Sequence, residues 1–152
     1  MQEKFKPLST GDPVPVYAAR LIDGDTAAVG TDEPQPLTLL NVWATWCVPC
    51  QKEFPDLQKI QSDYGGRGLR VLAVSVDDSG TEERIREFAK SYSVTFPIAH
   101  DPEGRIRDLY QGIGIPESYL ISADGRLLFR NAGAFPEGAA AIRSAIETAL
   151  AK

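Results

Sequence analysis

The sequence predicts an α/β fold with a central mixed β-sheet flanked by helices and an added N-terminal β-hairpin. Strand-like segments alternate with helical patterns along most of the chain, which favours parallel central strands. Residues 37–44 and 69–76 are nearly continuous apolar runs, as is typical of strands buried on both faces. A late pair of strands joined by a tight turn adds antiparallel partners and makes the sheet mixed.

Local signals place the elements in order along the chain. Asp23-Gly24-Asp25 separates two β-prone segments and predicts the first hairpin turn. The glycine-rich segment 65–68 ends the first helix, and Ala123-Asp124-Gly125 turns the chain between the last two strands. The predicted strands cover 16–21, 26–29, 37–44, 69–76, 96–99, 117–121 and 126–131, and the predicted helices cover 51–64, 85–92, 105–110 and 139–149.

Length, composition and charge bound the functional classes. The chain has 152 residues, enough for one domain, which we assign to residues 13–152 after a proline- and glycine-containing linker over 1–12. A net charge of −5 argues against nucleic acid binding, which needs clustered basic residues. No apolar stretch reaches the length of a membrane span, and the N-terminus has no apolar signal region. The chain is therefore either cytoplasmic or cut after a leader or anchor, and we expect a monomer.

The most informative motif is the sequence Trp46-Cys47-Val48-Pro49-Cys50, which holds both cysteines of the chain. It lies between a buried strand and a helix, so Cys47 is expected near a helix N-terminus. Free N–H groups and the helix dipole lower a thiol pKa there, and the thiolate is the reactive form. We predict that Cys47 attacks a substrate disulfide and that Cys50 then resolves the mixed disulfide.

Other interpretations of two cysteines at this spacing are weaker but differ in class. A structural disulfide would close a very small loop and remove little unfolded-state entropy. Structural zinc needs four ligands, and the only further soft candidate, His100, is distant in sequence. Copper(I) suits two thiolates chemically, so a metallochaperone-like module stays open as the alternative that is not an enzyme. The acidic residues Asp77, Asp78 and Asp101 are expected to be solvated loop charges, and we predict no metal site from them.

The motif and its surroundings resemble the thioredoxin superfamily. Within it, residues 40–55 and 114–125 are similar to the TlpA/ResA/CcmG-type branch. The resemblance implies an exported or membrane-anchored protein of the periplasm or another extracytoplasmic space. Members of the branch use no cofactor beyond the redox-active disulfide. They reduce disulfides of partner proteins, often the haem-attachment site of apocytochrome c, and a membrane thiol–disulfide electron donor reduces them again.

The resemblance also implies roles for individual residues. Pro116 matches the family's cis-proline, and a cis bond after Ile115 would turn the Ile115 backbone towards an extended substrate. The branch places a functional glutamate at Glu53, which shares a helical face with Cys50. If buried, this carboxyl would have a raised pKa and could shuttle the Cys50 proton. Asn41 stands where thioredoxin itself has a buried aspartate. Because asparagine cannot accept a proton at neutral pH, Glu53 becomes the stronger candidate for the proton acceptor.

Two residues of the motif bear on substrate contact and on the direction of electron flow. Trp46 is expected to flank the site as an apolar contact surface. Val48 and Pro49 separate the cysteines, so no histidine or lysine between them stabilises the Cys47 thiolate. A strongly stabilised thiolate makes such a protein an oxidant. Its absence favours a reductant, with a disulfide oxidase or isomerase of the same fold as the alternative.

Overall fold

A computed structural model describes residues 8–152, and its element order is the one that the sequence predicts. The fold is thioredoxin-like, with an N-terminal antiparallel hairpin added to a mixed sheet flanked by helices. The strands are β1 (Tyr17–Arg20), β2 (Thr26–Val29), β3 (Leu37–Trp43), β4 (Leu69–Ser75), β5 (Ile98–His100), β6 (Glu117–Ile121) and β7 (Leu127–Ala132). The helices are α1 (Val48–Tyr64), α2 (Glu82–Ser91), α3 (Arg105–Leu109) and α4 (Ala140–Leu150), and a short 3₁₀ turn over Gly65–Arg67 follows α1.

The central sheet has five strands in the order β5-β4-β3-β6-β7. Strands β3, β4 and β5 are parallel, whereas β6 is antiparallel to β3 and β7 is antiparallel to β6. The pairing of Val42 with Glu117 fixes the register of β3 against β6. Pro116 therefore lies beside the carboxyl end of β3, the end from which the chain enters the cysteine motif.

Both faces of the sheet are covered, which explains why all seven residues of β3 are buried. One apolar cluster joins α1, α2 and α4 to the sheet, with Trp43 and Phe54 at its centre and their ring centroids 4.4 Å apart. The other cluster joins the N-terminal hairpin and α3 to the opposite face. The hairpin also extends the sheet edge through a bridge between Leu21 and Ala99.

The described residues before the hairpin are bonded to the domain. The Gly11 N–H donates to the Leu127 carbonyl at 2.7 Å, and the Leu127 N–H donates to the Asp12 carbonyl at 2.9 Å. The predicted linker over 1–12 thus includes residues that contact β7, and its first seven residues lie outside the described part of the chain. Within residues 8–152, no helix combines the length and the apolar character that crossing a bilayer requires.

Candidate active site

The two cysteines lie at the start of α1 and are joined in a disulfide, with their Cα atoms 5.2 Å apart. Cys47 is the N-cap residue, and its Sγ accepts a hydrogen bond from the Cys50 N–H at 3.3 Å. Pro49 occupies the first turn, where a missing N–H costs the helix nothing. Cys47 is 6% exposed and Cys50 only 1%. The sulfur nearer the surface is therefore also the one held at the positive end of the helix dipole.

Glu53 is a buried carboxyl one helical turn beyond Cys50. It is 3% exposed, and each carboxylate oxygen accepts one hydrogen bond. Asn41 Nδ2 donates to Oε1 at 2.6 Å, and the Phe135 backbone N–H donates to Oε2 at 3.0 Å. Burial raises the pKa of Glu53 to about 7, although these two hydrogen bonds oppose the rise. The carboxyl is therefore able to gain or lose a proton near neutral pH.

Asn41 connects this carboxyl to the neighbouring strand. Its Nδ2 also donates to Ser118 Oγ at 3.0 Å, and the two residues are direct partners in the β3–β6 pairing. Both donor positions of the amide are thus occupied, and its buried Oδ1 has no hydrogen-bond partner among the described residues. Asn41 carries no proton to exchange at neutral pH, so its contribution is to orient Glu53.

The segment before β6 carries Ile115 and Pro116, and the peptide bond between them is cis, as the resemblance implies. Pro116 is buried, and Ile115 packs against the cluster that contains both cysteines. The buried carboxylate of Glu117 holds this segment by accepting the N–H groups of Ile113 at 2.8 Å and Gly114 at 3.1 Å. Arg130 on β7 pairs with the same carboxylate at 2.7 Å. The ion pair and the backbone hydrogen bonds together hold the chain segment that leads to Pro116 in place.

The expectation that Asp77 and Asp101 are solvated is wrong, because both are buried. The Asp77 carboxylate accepts the N–H of Thr45 at 3.0 Å and its hydroxyl at 2.6 Å, so it anchors the residue two positions before Cys47. Asp101 accepts the Tyr17 hydroxyl and the N–H groups of Arg105 and Ile106, and so attaches the hairpin and begins α3. Hydrogen bonds replace the water that each carboxylate loses on burial.

Exposed apolar side chains lie next to Cys47 in the chain and on the segment before Pro116. Trp46 is 64% exposed, and Val48 and Ile113 are exposed to a similar extent. Such side chains suit contact with another polypeptide. Over residues 8–152, no group of three or more histidine, cysteine, aspartate or glutamate side chains is placed to hold a metal ion.

Sequence reasoning missed several residues of this site. Glu117, Arg130 and Ser118 gave no motif, and the Phe135 N–H is a backbone group that no residue pattern marks. Asp77 had a usable signal, since it follows a strand parallel to β3 and so had to lie at the same sheet edge as the cysteines.

The fold and the cysteine pair at the start of α1 define a thioredoxin-like protein. The chain belongs to the AhpC/TSA family, whose model matches residues 10–130. It is 34% identical over 131 residues to the thiol-disulfide oxidoreductase ResA of Oceanobacillus iheyensis, an alignment that covers 84% of this chain and 67% of that protein. ResA of Bacillus subtilis is 35% identical over 89 residues, which are 59% of this chain and 49% of that protein.

A solved structure supports the same grouping. A Chlorobium tepidum protein assigned as thiol:disulfide interchange protein DsbE has a TM-score of 0.84 and 31% identity, and the match covers 94% of this chain and 99% of that one. The chain spans about half the length of several curated relatives that it matches. These similarities place it among thiol–disulfide oxidoreductases of the ResA and DsbE type.

Proposed function

We propose that this protein reduces disulfide bonds in other proteins, with Cys47 as the attacking thiol, Cys50 as the resolving thiol and Glu53 as the proton acceptor. The observation that carries the proposal is the buried carboxyl one turn from Cys50, held by Asn41 and by the Phe135 N–H. A structural disulfide has no use for such a group, whereas thiol exchange has to move the proton of the resolving thiol.

The reaction proceeds in two exchanges from the reduced protein. The Cys47 thiolate attacks one client sulfur, and the other client sulfur leaves as a thiolate and takes up a proton. The Cys50 thiol then gives its proton to Glu53 and attacks Cys47 Sγ. The bond between Cys47 and the client sulfur that it attacked breaks, and that sulfur leaves as a thiolate and takes up a proton. Two electrons have passed to the client, and the protein keeps the Cys47–Cys50 disulfide.

The contacts of the client with the protein follow from the surface around Cys47. Trp46 offers an exposed apolar face beside Cys47, and Ile115 and Pro116 offer backbone just before β6. An extended client segment with apolar residues beside its cysteine suits this surface. Next to Trp46 a surface cavity is lined by Arg84 and Glu87, whose opposite charges favour neither a basic nor an acidic client.

The proposal also covers the direction of electron flow, the compartment and the partners of the reaction. Val48 and Pro49 give the Cys47 thiolate no cationic neighbour between the cysteines, which favours a dithiol that donates electrons. The likeness to ResA and DsbE supports an extracytoplasmic protein, with apocytochrome c as one client class and a membrane thiol–disulfide protein as the electron donor. The dithiol needs no cofactor.

Insulin reduction by the protein in the presence of dithiothreitol tests the activity. We expect precipitation of the insulin B chain with the natural protein and none above background with Cys47→Ser. Equilibration with dithiothreitol measures the reduction potential of the Cys47–Cys50 pair and so tests the direction of electron flow. A value of about −270 mV supports a reductant. A reduction potential of about −120 mV would instead indicate an oxidant. Tight copper(I) binding without insulin reduction would indicate a metal carrier and not an enzyme.

A further inference from the structure

The connection between β7 and α4 contacts two separate parts of the site. The Gly133 N–H donates to the Pro116 carbonyl at 2.8 Å, and the Phe135 N–H donates to Glu53 Oε2 at 3.0 Å. Only Ala134 separates the two donors. The stretch 133–135, which we call the bridging segment, therefore ties the proposed proton acceptor to the proposed client contact through one short length of backbone.

The bridging segment has a fixed end and an exposed end. The Phe135 side chain is buried in the cluster that contains both cysteines, so only small movements of its backbone follow when the bond to Glu53 weakens. Gly133 and Ala134 are exposed, and the Asn131 side chain donates to the Gly133 carbonyl at 2.8 Å. A small movement of the Phe135 backbone is therefore passed on to the exposed Gly133, whose N–H bonds the Pro116 carbonyl.

The bond from Phe135 to Glu53 depends on the charge of the carboxyl. An N–H donates about twice as strongly to a carboxylate as to a neutral acceptor. Glu53 meets neutral groups on β3 and on the bridging segment, and Asp56 on its own helix is the charged neighbour that disfavours its ionisation. With the pKa of Glu53 at about 7, both charge states are populated near neutral pH.

We propose, building on the function proposed above, that the bridging segment transmits the charge of Glu53 to Pro116, so that a client binds more tightly while Glu53 is ionised. When Cys50 gives its proton to Glu53 the carboxyl becomes neutral. The Phe135 bond weakens, the bridging segment loosens, and Pro116 holds the client less firmly. The grip is thus released in the step that frees the reduced client, and Phe135 and Gly133 are positioning residues.

Amide NMR of the oxidised protein tests the coupling without any substrate. We expect the Phe135 and Gly133 N–H signals to shift with pH around one common midpoint, close to the Glu53 pKa of about 7. Both shifts should disappear in Glu53→Gln. A Phe135 signal that titrates while Gly133 does not would overturn the proposal, because the charge would then be felt only locally. Persistence of both titrations in Glu53→Gln would overturn it too.

Peptide binding tests the consequence for clients. The probe is a capped peptide without histidine whose single cysteine is S-methylated, so that no exchange occurs with the oxidised protein. We expect the dissociation constant to rise about threefold to tenfold as the pH falls through the Glu53 midpoint, the range that a weakened hydrogen bond gives. Glu53→Gln should bind weakly at every pH. A dissociation constant that does not change with pH would contradict the proposal.

Two neighbouring glycines supply a matched pair of variants. Gly133 and Gly138 both have positive φ, 84° and 82°, and a Cβ at either would meet no atom within 4 Å. Alanine strains both turns alike, but only Gly133 bonds Pro116. Gly133→Ala should reduce the pH dependence of peptide binding, whereas Gly138→Ala should keep it, and equal behaviour of the two would count against the bridging segment. Failure of the wild-type protein to reduce insulin would instead refute the proposed function.

Discussion

Asn41 Nδ2 lies 2.6 Å from Glu53 Oε1, and this contact joins the centre of the sheet to the helix that carries the cysteines. The same amide group donates to Ser118, so both of its hydrogens are committed. In thioredoxin-like folds with an aspartate here, a second acid would compete for the proton. In this chain the amide only donates, and Glu53 is the carboxyl in the pair that titrates.

Replacing Asn41 tests how far this contact sets the proton affinity of Glu53. Asn41→Leu keeps the volume but removes the donor, so the carboxylate loses one of its two hydrogen bonds. We expect the pKa of Glu53 to rise by about one further unit, the equivalent of one lost hydrogen bond. Carbon-13 NMR of the Glu53 carboxyl measures it. Ser118→Ala serves as control, because Ser118 contacts Asn41 but not Glu53, and an equal shift there would contradict a direct effect.

The raised pKa of Glu53 also predicts how stability depends on pH. The folded-state pKa of about 7 lies above the ordinary value of 4.5, so between these values the folded protein binds more protons than the unfolded chain. The free energy of unfolding therefore falls as pH rises through this window and is level above it. The rise of the Glu53 pKa from 4.5 to about 7 corresponds to a loss of about 3 kcal/mol across this window.

Glu53→Gln removes this dependence, since glutamine does not titrate. Urea denaturation with the disulfide intact measures the free energy of unfolding of both proteins. From about pH 5 to about pH 8 this free energy should increase for the variant relative to the natural protein, by up to about 3 kcal/mol. Comparing the two pH values cancels any packing effect of the substitution itself. An identical stability difference at both would mean that Glu53 titrates at its ordinary value.

The pair of Glu117 and Arg130 should dominate the stability of the segment before β6. The side chains are 2% and 19% exposed, and Glu117→Gln would leave Arg130 facing an amide in a largely dry site. Breaking such a pair from one side costs about 3 kcal/mol. Glu147→Gln breaks a pair with Arg67 in which both side chains are about half exposed, and it should change the urea midpoint little. Similar losses in the two variants would contradict this assignment.

The sequence predicted the elements well because each has a local cause. The apolar run of β3 and the glycines after α1 act within a few residues of themselves. The predicted start of α1 at residue 51 came three residues late, because the helix begins at Val48 with a cysteine as cap and Pro49 in its first turn. The usual capping residues are serine, threonine, asparagine and aspartate, so this start carries no familiar signal.

The environment of the cysteines was less accessible to sequence reasoning. The carboxyl of Glu53 could be named as a candidate, but its burial depends on Phe135, which is 82 residues further along the chain and contributes a backbone N–H. A backbone donor is the same for almost every residue type, so no pattern reveals it. Ser118 and Glu117 became visible only once the β3–β6 register was known. Contacts of this kind follow from topology and not from motifs.

The difference between the two sulfurs leads to a last prediction, on the reduced protein. Cys47 caps α1 and is the more exposed of the two, whereas Cys50 is 1% exposed beneath it. A limiting amount of iodoacetamide at about pH 7 should therefore label Cys47 at least about tenfold faster than Cys50, because the thiolate near the helix N-terminus is the reactive form. Peptide mapping by mass spectrometry gives the ratio. Cys50→Ala should keep the fast rate and Cys47→Ala should lose it; preferential labelling of Cys50 would reverse the roles that we propose for the two thiols.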